Sequence, residues 1–369
     1  MTPQPPVFIA NDPAAILAEI VQTYEAIAGH VLPGGAVERL LLNAFAYREA
    51  LVRQAIQDAG TQNLVAFSRA PALDYLAELV GVVRLASAPA VCTLEFTLVD
   101  GHTGVVIPEN TRVASGDGQV YFATAETITV PAGELTAQVE AFAEPPGTAG
   151  NGYAAGEIKT ILDPLPYLLT AANVATTTGG ADTETDDQLR ERIRLAPGSF
   201  STAGSRGAYV FHTKTASTLI IDVAVTQPTP GTVEVFPLVS GGVVTSPSIL
   251  ALVVAALNDE KVRPLTDTVI VTAPTIVEYA IELELVIYTG ADAVTTLADA
   301  TAAVEAYKDA KAGRLGQDVT SDQLIAAALL PGRVYGVTVV EPAADLIVDP
   351  TEVAVCTGVT VTITSTTDG

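Results

Sequence analysis

Residues 179–193 read GGADTETDDQLRERI, a glycine opening followed by an acidic and arginine-rich run. Thr185 and Gln188 have the spacing of a capping box, in which each side chain bonds a backbone N–H at the start of a helix. Leu189 and Ile193 then recur four residues apart, as the buried residues of a helix do. The stretch therefore predicts a helix that begins near Thr185, just after a boundary between two regions of the chain.

Downstream of this helix, strand and helix patterns alternate. The clearest strand has apolar residues at every second position from Val277 to Ile287, whereas Glu278, Glu282 and Glu284 occupy its other face. One face is therefore expected to pack on a core and the other to meet solvent. The other elements predicted here are strands over 218–227 and 231–240, a buried helix over 248–257, a helix over 294–311, a helix that starts with a second capping box of Thr320 and Gln323, and β-rich sequence to the end.

Upstream, the chain before Pro89 has helical spacing. Asp12 can cap a first helix, Pro13 suits its first position, and Gly29 ends it. Two more helices are predicted over 37–56 and 72–80. From Pro89 to about Pro166 the spacing becomes short and alternating, with many Gly turns, which is typical of a small β module.

These patterns predict an α+β multidomain protein. It has an N-terminal helical region, a small β-rich module, and then mixed α/β domains with antiparallel strands. We expect the divisions to fall at 1–88, 89–178, 179–275 and 276–369.

Composition limits the classes of partner. The chain has 369 residues and a formal net charge of -24, so its surface would repel phosphate backbones and anionic lipids. We therefore expect no nucleic-acid partner. Its uninterrupted apolar run, Ile249 to Leu257, is about half of what a bilayer span requires, and the N-terminus does not resemble a signal peptide. We therefore expect that the chain is made in the cytoplasm and does not insert into a membrane.

Residues that could carry catalysis do not form a recognisable set. The histidines His30, His102 and His212 lie in three different regions, and His102 is best explained as a solvated turn residue. Cys92 and Cys356 are far apart, which favours two small buried apolar side chains over a disulfide or a metal site. We therefore predict no enzyme activity, no catalytic residue, no cofactor and no metal.

The acidic and basic residues of the helix predicted from Thr185 onward have structural explanations. Asp186 and Asp187 lie in its first turn, where the helix dipole favours negative charge, and the arginines lie toward its C-terminal end. A salt bridge from these arginines to an acidic partner is the alternative. His212 is interpreted as an interface or core-edge histidine. The candidate interface residues are Arg190, Arg192, Arg194, Arg206, Tyr209, Phe211 and His212.

The run at 179–193 resembles the signature of the baseplate J-like family, in which a Gly-Gly-Ala-Asp opening precedes an acidic, arginine-rich helix. The next segments, Phe200 to Tyr209 and a strand pair broken by Pro228 to Gly231, are similar to that family in order and spacing. Arg206 departs from the acidic residue expected there. Further similar segments are 72–81, 107–113, 150–158, 330–337 and 342–346.

The resemblance implies a structural wedge component of a contractile phage tail or a related injection particle. Its implied partners are copies of itself, a second wedge subunit, and the central spike or hub and sheath-initiating proteins. Assembly in the cytoplasm, then a place in the virion tail or a released particle, follows from the same resemblance. Hinges are expected over 33–35, 164–166 and 197–207.

Two alternatives belong to other classes of protein. The many acidic residues and the Thr- and Val-rich modules are also found in proteins that bind or degrade carbohydrates, but sugar platforms usually use aromatic faces and this chain has no Trp. An adhesin-like surface protein would be expected to start with a signal peptide.

Overall fold

The computed structural model describes residues 4–200, 204–240, 245–260, 262–264 and 266–369. The chain forms two compact units, one of Met1–Arg84 with Thr185–Arg194, the other of Leu85–Glu184 with Leu195–Gly369. The α-helices are α1 (Pro13–Ala28), α2 (Glu38–Gln62), α3 (Ala72–Glu78), α4 (Asp186–Ser199), α5 (Arg206–Ala216), α6 (Pro247–Leu257), α7 (Ala293–Ala312) and α8 (Ser321–Ala328).

The strands are β1 (Val91–Leu98), β2 (Val105–Ile107), β3 (Arg112–Ser115), β4 (Tyr121–Thr124), β5 (Ile128–Val130), β6 (Thr136–Glu144), β7 (Ile158–Ile161), β8 (Leu168–Asn173), β9 (Ile220–Thr229), β10 (Thr232–Val239), β11 (Thr268–Val271), β12 (Thr275–Tyr288), β13 (Val334–Glu341) and β14 (Glu352–Thr367). The predicted fold class, an α+β protein with helices first and sheets after, is confirmed.

Local signals in the sequence fix the first helix. The Asp12 side chain accepts a hydrogen bond from the Ala14 N–H, Pro13 opens α1, and Gly29 ends it at φ 72°, a left-handed conformation that suits glycine. The helix α2 packs on α1 through one stripe, where Leu42 and Ala46 are buried. The predicted ends of α1 are confirmed.

The β module that follows is antiparallel throughout. Six strands pair in the order β7-β3-β4-β6-β1-β8, and β2 pairs with β5. Its core contains the fully buried side chains Leu94, Phe96, Ile107, Phe122 and Ile158. Alternating residues of β1 point into this core, as the period of a half-buried strand requires.

Two further three-stranded sheets have the same arrangement of strand directions. In the order β11-β10-β9 and in the order β13-β12-β14, the central strand has one antiparallel and one parallel neighbour. The prediction named antiparallel strands alone. Parallel pairing requires a long crossover, which α6 provides between β10 and β11, and which α7, α8 and β13 provide between β12 and β14.

The alternation predicted for β12 is confirmed, but the second capping box is wrong. Thr320 makes no side-chain cap, and the Gln323 Oε1 atom instead accepts from the Tyr307 hydroxyl at 3.2 Å. The Ser321 N–H donates to Asp345 Oδ1 at 2.8 Å. A carboxylate from a distant segment has therefore replaced the local capping partner of α8.

The prediction of a solvated His102 is also wrong. His102 is buried, its Nε2 lies 2.8 Å from the Glu134 carbonyl, and its Nδ1 lies 3.3 Å from the Gly104 nitrogen. Both ring nitrogens therefore have a backbone partner. Cys92 is buried as predicted, whereas Cys356 is half-buried, and both thiols are free.

Candidate functional site

The first half of the signature, residues 179–184, is held by polar contacts within the second unit. The Gly180 N–H donates to Asn151 Oδ1 at 2.8 Å, and Asn151 Nδ2 donates back to the Gly180 carbonyl at 2.7 Å. Asp182 accepts from the Thr148 backbone N–H at 2.9 Å and from its hydroxyl at 2.7 Å. These two bonds lower the pKa of Asp182, so the carboxylate serves as a structural acceptor.

Gly180 is required because the backbone of another segment is too close for a side chain. A Cβ atom at this position would lie 2.3 Å from the Gly147 carbonyl oxygen and 3.1 Å from the Ala90 Cβ. Neither of these atoms is the movable end of a long side chain. The second glycine of the signature is therefore explained by packing.

We expect Gly180→Ala to lower the free energy of unfolding by about 1–3 kcal/mol, because the new methyl group must push the segment of Gly147 away. Gly336→Ala is the matched control, since a Cβ at Gly336 meets nothing within 4 Å. Urea unfolding followed by circular dichroism measures both variants. Equal unfolding midpoints for the two would contradict this explanation of the signature.

The second half of the signature, residues 185–193, starts α4 in the first unit. The capping box is confirmed, because the Thr185 N–H donates to Gln188 Oε1 at 3.0 Å and the Gln188 N–H donates to Thr185 Oγ1 at 3.3 Å. Asp186 accepts from Arg84 Nη2 at 2.7 Å. Burial raises the pKa of Asp186, but the bonds from Arg84 and from the Ala70 N–H lower it by more.

The arginines of α4 also contact their own unit. Arg190 pairs with Asp187 one helical turn earlier, and its Nη2 donates to the Ser68 carbonyl at 2.7 Å. Arg192 is buried and its Nη1 donates to the Val83 carbonyl at 3.2 Å. Arg194 is exposed. Of the three arginines, Arg194 therefore has the side chain most accessible to another molecule.

The remaining interface candidates lie on α5, a helix that the sequence analysis missed. Tyr209 and Phe211 are buried, and the Tyr209 hydroxyl donates to Asp267 Oδ2 at 2.7 Å. His212 is half-buried against the Phe211 ring, and burial lowers the pKa of His212. Arg206 is exposed at the start of α5.

The seven candidates differ in how accessible their side chains are within their own units. Arg192, Tyr209 and Phe211 pack inside their own units, whereas Arg194 and Arg206 are exposed. The predicted hinge over 197–207 is also not a simple loop, because Pro197 lies inside α4 and α5 starts at Arg206. Residues 201–203 of that stretch lie outside the described residues.

An exposed apolar surface lies on α2, and none of its residues was among the seven interface candidates. We call it the outer α2 face, and its large side chains are 48% to 70% exposed. At about 3.6 residues per turn, Leu40, Tyr47 and Leu51 lie opposite the stripe of Leu42 and Ala46, and the other four side chains lie between them and that stripe. The helix α2 is therefore apolar around most of its circumference. The members of the outer α2 face are Leu40, Leu41, Phe45, Tyr47, Leu51, Val52 and Ile56.

The sequence carried a signal for the outer α2 face. An amphipathic surface helix has one apolar stripe, but the apolar residues of this segment occupy most of the helical circumference. A contiguous exposed apolar surface of this kind marks an interaction site in a soluble protein. Its chemistry suits contact with a protein surface, because side chains of this type contain almost no group that could donate, accept or transfer a proton.

Groups of acidic, histidine or cysteine side chains suited to a metal ion are absent from the part of the chain that the structure describes. Among the same residues, every helix is too short or too polar to cross a bilayer.

Four models of the baseplate J-like family match the chain in consecutive order. The Baseplate J-like N-terminal domain matches residues 39–90, the barrel domain 93–180, the central domain 201–273 and the C-terminal domain 279–362. Together they cover most of the sequence, and the signature connects the second match to the third.

Two individual proteins are also similar. Baseplate protein J of Escherichia phage P2 is 38% identical over 176 residues, which are 47% of this chain and 57% of the phage protein. The matched region thus spans little more than half the length of that relative. A chain in the cryo-EM structure of the anti-feeding prophage baseplate, 6-fold symmetrised, superposes with a TM-score of 0.45 at 14% identity, covering 93% of this chain and 90% of that one. On the four family matches, this chain belongs to the baseplate J-like family.

Proposed function

We propose that the chain is a structural wedge component of the baseplate of a contractile phage tail or a related injection particle. Family membership supports the class of role, and the outer α2 face carries the proposal physically. Seven large apolar side chains exposed on one helix need a cover, and in an assembly the cover is another protein subunit. A carbohydrate-binding role is not favoured by the family relationship.

The partners in this proposal are copies of the chain itself, a second wedge subunit, and the spike or hub and sheath-initiating proteins. We assign the outer α2 face to the second wedge subunit, which would present an apolar helix of its own. Arg194 and Arg206, the exposed arginines of the candidate interface, would meet acidic side chains at neighbouring contacts. The role is mechanical and has no catalytic step.

The proposed mechanism follows from contacts between subunits. Interfaces hold the baseplate in one state and rearrange when contraction is triggered, since packed interfaces switch between discrete arrangements. Assembly is proposed to occur in the cytoplasm, and the chain then remains in the virion tail or in a released particle. The four-part division at 1–88, 89–178, 179–275 and 276–369 is proposed as the modular basis of these contacts.

Electron microscopy of particles made with and without this chain tests the proposal. Cells that express the neighbouring tail proteins together with the chain should yield assembled baseplates containing it, whereas cells lacking the chain should yield none. Supplying the chain from a separate plasmid should restore assembly. Normal baseplates in its absence, or failure of the chain to join any ring or wedge complex, would contradict the proposed function.

A further inference from the structure

The strand β14 has an open edge. It is 16 residues long and is the outer strand of the sheet ordered β13-β12-β14. Its first residues are covered, because the Gly316 N–H bonds the Glu352 carbonyl and Val353 packs with Leu238 and Leu315. Beyond Gly358, no strand among the described residues pairs with the outer side of β14. That side therefore presents unpaired backbone N–H and C=O groups.

The composition of β14 does not protect this edge. Between Glu352 and Asp368 the chain contains no Lys, Arg, Asp, Glu, His or Pro, and nearly every residue from Val359 is β-branched. Natural edge strands are usually protected by charges, prolines or short length. The opposite edge strand, β13, has such protection, because it has 8 residues, ends at the charged Glu341, and is followed by Pro342. Of the two edges of this sheet, β14 is therefore suited to accept another strand.

We propose that the β14 edge pairs with β14 of a second copy of this chain, antiparallel and around a two-fold axis near Val361. Two three-stranded sheets then join into one six-stranded sheet. The proposal deepens the proposed function, on which its biological role rests, by naming the surface through which one copy meets another.

The side-chain pattern of β14 is self-complementary in this arrangement. Val359, Val361 and Ile363 lie on the face that packs on the core beneath α7, whereas Thr360 and Thr362 are exposed on the other face. Residues opposite each other in an antiparallel pair point to the same face of the sheet. With the axis at Val361, apolar residues therefore meet apolar residues on the core side and threonines meet threonines on the other.

For two copies joined at this edge, charge favours antiparallel over parallel pairing. Each copy carries a formal net charge of -24, so two copies repel over most of their surfaces, whereas the paired segment carries no charge. In the antiparallel pair the two Asp368 carboxylates lie on the order of 45 Å apart, but parallel pairing would bring them to about 5 Å. An uncharged strand has no charge pattern that a different protein could recognise. Its alternation of apolar residues and threonines does match the same alternation in a second copy.

Thr362→Lys tests the pairing, and Thr338→Lys is its matched control. Thr362 on β14 and Thr338 on β13 are both exposed and both lie opposite Glu284, one on each side of β12. Each variant places one ammonium group beside that carboxylate, so both should fold. In the proposed pair, Thr362 lies next to the two-fold axis, so the ammonium groups of the two copies come together.

Sedimentation equilibrium of the purified full chain over a range of concentrations gives the readout. The wild-type chain and Thr338→Lys should dimerise with similar dissociation constants, and Thr362→Lys should dimerise about tenfold more weakly. Circular dichroism checks that all three are folded. A wild-type chain that stays monomeric would overturn the proposal, and so would a β14 edge that a different polypeptide fills. Equal loss of dimer affinity in the two variants would also overturn it.

Disulfide trapping supplies a second readout, which detects the paired strands directly and does not require a change in dimer affinity. In a Cys356→Ser background, the double variant Thr360→Cys with Thr362→Cys should form a disulfide-linked dimer under mild oxidation, because Thr360 of one copy lies directly opposite Thr362 of the other in the proposed pair. The control double variant Thr338→Cys with Val340→Cys, at exposed positions on β13, should not. Cys92 is buried and does not compete. Equal linking of the two variants would overturn the proposal. A monomer that still joins baseplates would refute this pairing alone, whereas a dimer that joins no particle would refute the proposed function alone.

Discussion

We expect Phe96→Ala to lower the free energy of unfolding of the second unit by about 3–5 kcal/mol. Phe96 is fully buried in β1, the strand that pairs with β6 on one side and β8 on the other. Its direct neighbours across those strands are Ala137 and Ala171. Because both neighbours are small, neither can fill the space that the ring leaves, so the cavity persists.

Phe200→Ala is the matched control for this prediction. It makes the same truncation at a side chain that is 69% exposed, where the change should stay within about 0.5 kcal/mol. Chemical denaturation, followed by circular dichroism at several wavelengths, measures both variants against the wild-type chain. If Phe96→Ala unfolds at the same denaturant concentration as Phe200→Ala, Phe96 does not contribute to the core of the β module.

The sequence predicts those parts of the fold whose causes are local. Asp12, Pro13 and Gly29 mark the ends of α1 without help from any other segment, and Thr185 and Gln188 bond each other within one turn. The alternation along β12 is local in the same sense, because the strand period alone sorts its residues between two faces. For such elements the residue pattern and the structure agree closely.

The parts that were missed depend on distant residues. A pattern in β12 cannot reveal that its parallel neighbour is β14, because that neighbour follows two helices and another strand. The box of Thr320 and Gln323 has the same local pattern as the box at α4, yet Asp345 and Tyr307 supply competing partners. Equal local signals thus gave different structures, because tertiary contacts decided between them.

The signature shows the same limit at the candidate site. Its glycine, acid and arginine positions were recognisable, but their respective partners Asn151, Arg84 and Ser68 are far away in the sequence. Without those partners, Arg190 and Arg192 could be interpreted as an interface. With them, both arginines have structural contacts, and the larger exposed apolar surface lies on α2 instead.

We expect the double variant Leu41→Glu with Phe45→Glu to abolish entry of the chain into baseplates. Both side chains lie on the outer α2 face, and they are 62% and 63% exposed. Glutamate is a good helix former, so α2 should persist. Two carboxylates buried without partners at an apolar interface should weaken binding by roughly 30-fold or more, which corresponds to a loss of at least about 2 kcal/mol.

The matched control carries the same two substitutions at other exposed positions. Leu169→Glu with Phe200→Glu also replaces one leucine and one phenylalanine, at sites 61% and 69% exposed, and adds the same charge. To compare the variants, baseplates are affinity-purified from cells that make each one, and the amount of the chain in the particles is quantified.

The control variant should enter baseplates at the wild-type level, whereas the α2 variant should be absent from them. If both are excluded alike, added charge explains the loss, and if both enter alike, the outer α2 face does not contact a subunit.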